Sequence, residues 1–218
     1  MKTFIRHRFG TFRGLVRTAL GYAELASGRL SPFKLRDPAA VRRVVFVCHG
    51  NICRSAYAHM IANRLGMHVA SLGLSTKTGN ASPKPALAAA TRLGVDMSAH
   101  RACAIEDFAI QPGDLFLVME VRQAHKLRRL LGSRRDVHVS LLGLWGRPPM
   151  PHLHDPYTLC DPYFETCFKR VELAVERLAQ ALPHVRAPQG QGQGQDQGQG
   201  ASAPGADAMP AAAMAPQG

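Results

Sequence analysis

The stretch VVFVCHGNICRS, residues 44–55, places the tightest limit on what this chain can fold into. The four β-forming residues at 44–47 offer no polar face, so they belong in the middle of a sheet covered on both sides, as in a central parallel strand. After Cys48 the pattern becomes helical: Ala56, His59, Met60 and Asn63 are spaced by turns, and Gly66 supplies a stop. A buried strand running into a helix is the first half of a βα unit. The carboxyl end of such a strand is where α/β sheets hold their ligands, and Cys48 falls at that end.

The same alternation continues along the chain. Strands are expected at 67–72, 114–119 and 137–141, and helices at 55–65, 84–93, 121–131 and 164–182. Pro83 and Pro85 open the second helix, and Gly94 and Gly132 close the second and third. The fold class is therefore α/β, a four-stranded parallel sheet flanked by helices, in a domain spanning 43–184. Ahead of it lies a basic extension, 1–42. Residues 1–43 hold ten Lys or Arg against Glu24 and Asp37, a local +8 within a formal net charge of +12.

In this extension Ile5, Phe9, Phe12, Val16, Leu20 and Ala23 recur at helical spacing, with Arg6, Arg13 and Arg17 on another face. An N-terminal amphipathic helix is expected, weakened by Gly10, Gly14 and Gly21. Two readings of it stay open, peripheral contact with an anionic membrane surface or packing on the domain or a neighbouring subunit. No nucleic-acid-binding motif accompanies the charge, so nucleic acid is not expected as a partner. Residues 185–218 repeat Gln-Gly and Ala-Pro with almost no large apolar side chain, the composition of a disordered tail.

No run reaches the length of a membrane span, and arginines interrupt what would be the apolar core of a signal peptide, so a cytoplasmic location is expected. The five cysteines, Cys48, Cys53, Cys103, Cys160 and Cys167, are odd in number and lack the paired spacing of a zinc site. Reduced thiols with a chemical task are expected, without metal or cofactor.

Between Cys48 and Arg54 stand His49, Gly50, Asn51, Ile52 and Cys53. Gly50 and Asn51 tolerate positive φ, so a tight loop is inexpensive there. A loop curled about its own concavity aims successive N–H groups at one point, and the following helix adds the positive end of its dipole; a tetrahedral oxyanion fits such a nest. Arg54 adds a planar fork of donors for two phosphate oxygens. The same field favours the thiolate of Cys48 beneath the anion. Ser55 can donate to that sulfur, and Asn51 can lock the loop by hydrogen bonds.

VCHGNICRS resembles the phosphate-binding loop of the low-molecular-weight protein tyrosine phosphatases. The resemblance extends over about 43–182 through SLGLSTKTG from Ser71, DMSAHRA from Asp96, DLFLVME from Asp114, DPY at Asp155 and the Phe164-Glu165 pair. The Ser71 to Gly79 spacing is similar to that of bacterial members associated with capsule and exopolysaccharide export. Leu72, Lys77, Cys103 and the stretch GRPPMPHLH depart from the family pattern; Lys77 stands where eukaryotic members place an aromatic residue lining the cleft.

The resemblance implies phosphotyrosine hydrolysis through a phosphocysteine, with Cys48 as nucleophile, Arg54 and the loop from His49 to Ser55 on the phosphate, and one carboxyl group acting first as acid and then as base. Asp155 and Asp161 both precede Pro-Tyr. Phe164-Glu165 follows Asp155 at the family's spacing, which favours Asp155; Asp161 stands close enough to the last helix to cap it. The family's arrangement also implies Tyr157 on the cleft wall, Ser71 and His100 as supports of the loop, and a reversible protective disulfide between Cys48 and Cys53. Its partners would be phosphotyrosine proteins, among them a bacterial tyrosine kinase of polysaccharide export. Two rival readings are an arsenate reductase of the same fold and a non-catalytic phosphate-binding module.

Overall fold

The apolar run at 44–47 becomes part of β1 (Arg43–Cys48), an inner strand with a neighbour on each side. In the computed structural model, which describes residues 2–187, it lies in an all-parallel sheet with β2 (Val69–Gly73), β3 (Asp114–Val118) and β4 (His138–Leu141), in the order β2-β1-β3-β4. Alternation along β1 feeds two cores. Val44 and Phe46 pack under α3 (Arg54–Arg64), α4 (Lys84–Arg92) and α6 (Asp161–Ala181). Val45 and Val47 pack under α5 (Val121–Leu131) together with Leu30 and Phe33 of the N-terminal connection. Each such buried side chain contributes about 1.5–3 kcal/mol, so neither face of β1 can be left open to water.

The register decides where the site lies. Cys48 pairs with Gly73, Val47 with Val118, and Val118 with Leu141, so all four strands end at one edge and their loops converge there.

Several boundaries differ from those the sequence predicts. β2 begins at Val69 rather than 67, because Met67 bridges antiparallel to Arg186; with Val185 buried, this carries the packed chain past 184. The last helix starts at Asp161 rather than 164, since Pro162 is tolerated in a first turn whose N–H needs no partner.

The N-terminal extension forms two helices instead of one, α1 (Lys2–Phe9) and α2 (Phe12–Ala26). Gly10 at φ 76° ends the first, and the Thr11 hydroxyl caps the second by accepting from the Gly14 N–H at 2.9 Å. The expected apolar stripe is not the packing face of α2. Phe12 (69% exposed), Val16 and Leu20 face solvent, whereas Gly14, Thr18 and Gly21 are buried. The cause is close approach: a Cβ at Gly14 would come within 2.8 Å of the His154 ring, so only the small-residue face can seat the helix at this distance. Of the tail expected at 185–218, residues 188–218 lie outside the described residues. Among the described residues no helix is long and apolar enough to cross a membrane.

Candidate active site

β1 delivers Cys48 to the sheet edge, where it is 2% exposed. The Asn51 N–H donates to Cys48 Sγ at 3.2 Å and the Ser55 hydroxyl at 3.0 Å. Ser55 Oγ in turn accepts from Asn51 Nδ2 at 2.8 Å, which leaves its proton for the sulfur. Asn51 sits at φ 51°, in the left-handed region it tolerates better than most residues, and is fully buried. Two further contacts fix it: its Oδ1 accepts from the Cys103 N–H at 2.9 Å and its carbonyl accepts from His100 Nε2 at 2.8 Å. Gly73 closes the floor, since a Cβ there would meet the Gly50 carbonyl carbon at 3.0 Å and the Asn51 nitrogen at 3.1 Å.

Among the described residues no side chain caps α3, and the amides of Gly50, Ile52 and Cys53 find no acceptor within the protein. Those donors, together with the helix dipole, make an anion site of the loop. His49 is exposed; its carbonyl and that of Cys48 are held by the Ser75 and Leu74 N–H groups.

Arg54, the first residue of α3, is 1% exposed. Its Nη1 donates to Glu120 Oε1 and to the Leu153 carbonyl, both at 2.8 Å, and its Nη2 lies 2.6 Å from Asp155 Oδ2. Its Nε is buried with no partner. Burial works against the guanidinium charge, but Asp155, Cys48 and Glu120 outweigh it and hold the group firmly protonated. Burial alone would raise the Glu120 carboxyl; Arg54 reverses this and brings it down to about 2. Cys53 and Cys167 have thiols pushed up, chiefly by burial, the latter to about 12. All five cysteines are free.

Asp155 lies half-buried on an irregular segment ahead of α6, and its Oδ1 accepts from the Tyr157 N–H at 3.2 Å. Asp161 is elsewhere. It is the first residue of α6, with Cys160 in the capping position it was expected to take, and it lies 3.6 Å from Arg92 at the surface. Tyr157 is half exposed. His100 touches the loop directly, whereas Ser71 reaches it only through His59, whose Nδ1 lies 3.1 Å from Ser71 Oγ and whose ring meets that of His100 edge-on.

Sequence reasoning missed Glu120, His59, Gly73 and the Leu153 carbonyl. Glu120 had a readable signal, a carboxylate right behind an apolar strand that ends beside Cys48. It also missed a second layer behind the acid segment. Arg17 of α2 lies 3.7 Å from Glu120 Oε2, and Thr11 Oγ1 lies 3.2 Å from His154 Nε2, next to Asp155. Cys167 is buried with its sulfur 3.7 Å from the His154 carbonyl.

Residues 43–187 match the family model described as low molecular weight phosphotyrosine protein phosphatase. The chain is 30% identical to the phosphatase Wzb of Salmonella typhi, over 64% of this chain and 93% of that one, and 26% identical to the probable phosphatase EpsP of Ralstonia nicotianae, over 67% and 98%. The crystal structure of Erwinia amylovora tyrosine phosphatase AmsI superposes with a TM-score of 0.58 at 27% identity, covering 68% of this chain and 97% of that one. That of Wzb from Escherichia coli K30, in complex with sulphate, does so at 0.57 and 25%, covering 65% and 99%. With a strand, loop and helix that carry the cysteine and arginine of the matched segment, this chain belongs to the low molecular weight phosphotyrosine protein phosphatase family.

Proposed function

We propose that the chain hydrolyses phosphotyrosine in proteins through a phosphocysteine intermediate, carried by the domain 43–184. The observation that supports this best is the fully buried guanidinium of Arg54: its Nε is unpartnered, and its Nη2 holds the Asp155 carboxylate beside a cysteine sulfur with two donors on it. A binding module needs an anion site but neither nucleophile nor acid.

In this reading the phosphoryl group enters the loop and displaces the Asp155 carboxylate from Arg54, taking Nε and Nη2 as a fork, and the released carboxylate takes up a proton from solvent. The loop amides from His49 to Ser55 hold the equatorial oxygens where charge develops. The Cys48 thiolate attacks phosphorus, the bond from phosphorus to the phenolic oxygen breaks, and Asp155 gives that oxygen a proton. Asp155, now ionised, takes a proton from water, whose oxygen attacks phosphorus; the S–P bond breaks and its electron pair returns to Cys48, where the Ser55 O–H receives it. His100 and, through His59, Ser71 keep the loop in place. Tyr157 stands in the acid segment to line the cleft beside the phenol ring. The chemistry requires a reduced Cys48, which suits the cytoplasm.

The relatives named as tyrosine phosphatases support the phosphotyrosine assignment, and we extend it to a tyrosine kinase of polysaccharide export as physiological substrate. Arsenate reduction is not favoured. Residues 120–136, where a relay would need further cysteines, contain none, and Cys167 is sealed in the core. Hydrolysis of an aryl phosphate in the presence of a chelator is expected for the native chain and should vanish in Cys48→Ser, with phosphate trapped on Cys48 of the native chain during turnover. Turnover surviving Cys48→Ser would overturn the reading.

A further inference from the structure

A cavity of about 400 Å3 lies between the α1–α2 hairpin, the segment 146–150 and α6. Its volume is at the lower end of ordinary small-molecule sites, roughly 300–1,000 Å3. Part of its wall, from Arg8 to Tyr22, comes from the extension outside the family-matched segment. The apolar lining is Phe9, Met150 and Leu153, with the exposed Leu173 beside them. The two threonine hydroxyls in the lining are already committed, Thr18 to the Gly14 carbonyl at 2.8 Å and Thr166 to that of Pro162 at 2.9 Å, while Tyr22 is exposed.

The lining also holds Arg8, Arg147, Lys169 and Arg170, and no acidic residue. Among the described residues none of these four cations is paired with a carboxylate. An apolar cavity edged by four unneutralised cations is complementary to one kind of molecule, an aliphatic chain ending in an anion.

We propose that this cavity binds a single-chain anionic amphiphile, with the hydrocarbon inside and the carboxylate or phosphate head on the cations. The two sources of that chemistry are a free fatty acid and the acyl chain of an anionic lipid. The site is distinct from the catalytic loop but shares a wall with it, because Leu153 lines the cavity while its carbonyl holds Arg54 Nη1. The proposal does not depend on the reaction assigned above.

Titration calorimetry of the full chain with octanoate and decanoate below their micellar concentrations tests it. One saturable site is expected, with decanoate about tenfold tighter for its two extra methylenes. Arg147 and Lys169 are exposed, so Arg147→Glu with Lys169→Glu leaves the fold and aryl phosphate turnover intact while weakening decanoate at least tenfold; the single alanine variants give smaller losses in the same direction. Saturating vanadate leaves decanoate binding unchanged. Phosphatidylglycerol vesicles that bind the native chain and not the double variant identify a lipid source, and decanoate binding without vesicle binding identifies a free acid. Absence of a saturable site, equal affinity in the double variant, competition by vanadate, or binding to vesicles alone would each overturn the proposal.

Discussion

The two sides of the candidate site are held in opposite ways. The loop from Cys48 to Ser55 is fixed from within and from close behind: Asn51 spends its main-chain and side-chain groups on Cys48, Ser55, His100 and Cys103, and Gly73 lets the β2 end press against it. The segment carrying Asp155 has no regular structure of its own between Gly146 and Cys160. It is held by ion pairs and neighbours from afar, Arg54 on one side and the α1–α2 hairpin on the other, through His154. A site that must bind the same PO3 group every time gains from a prebuilt cup. The wall that meets the leaving group and its protein must release Asp155 from Arg54 when substrate arrives, and an ion-paired segment can do that at small cost.

If the cup side is the stringent one, its chemistry should tolerate the least. Arg54→Lys keeps the charge and loses the fork, and is expected to lower kcat/KM about 10³-fold on any aryl phosphate; a loss under tenfold would put the anion site elsewhere. On the opposite side, Asp155→Asn should cost about 10²-fold with phosphotyrosine, whose leaving group needs the proton, and under about tenfold with p-nitrophenyl phosphate, whose leaving group does not. Asp161→Asn, on the exposed start of α6, should change neither. An inert Asp161→Asn beside an active Asp155→Asn would reverse the assignment of the acid.

Glu120 joins the two sides, since it holds Arg54 Nη1, accepts from Arg122 and faces Arg17. Glu120→Gln leaves a buried arginine without its fully buried counter-charge. It should lower stability by about 3 kcal/mol in a denaturant titration and reduce kcat about tenfold through a misplaced guanidinium, with KM rising in parallel. Unchanged stability would mean that Asp155 alone suffices to neutralise Arg54.

The same contrast explains what the sequence revealed. The cup was legible because its pattern is local: an apolar strand, a turn with Gly50 and Asn51, and a helix start fall within a dozen residues, where side-chain period and turn chemistry are readable. Asp155 needed the spacing to Phe164-Glu165. The supports that stayed hidden cross long stretches of chain, as Glu120 and Leu153 do in reaching Arg54 or Cys103 in reaching Asn51, and no local period reports a contact of that kind. For the extension, apolar periodicity left two readings open, and the one that packs Phe12, Val16 and Leu20 on the domain is not the one α2 adopts: its docking is set by how closely its backbone can approach His154, and that favours Gly14 and Thr18.

The smallest expected effect concerns the histidines behind the two sides, and here the sign matters. His59, behind the loop, and His152, behind the acid segment, are both lowered to about 4 by burial; His100 lowers His59 further, and Glu120 offsets only part of the cost at His152. The unfolded chain takes up these protons near pH 6.5, so between about pH 6.5 and 4 it binds more protons than the folded one and stability falls on acidification; above 6.5 neither group contributes a slope. The slope should approach about 1.4 kcal/mol per pH unit for the buried His152 and less for the partly exposed His59. Glu120 adds nothing in most of this window, since its stabilisation is lost only below about pH 4.5, as the pH falls toward 2. Thermal midpoints followed from pH 7 to 4.5 should therefore decline, and His152→Gln should remove about half of the decline or more. A midpoint that is flat across this range would show that both imidazoles accept a proton in place, and that neither side of the site is as dry as its packing indicates.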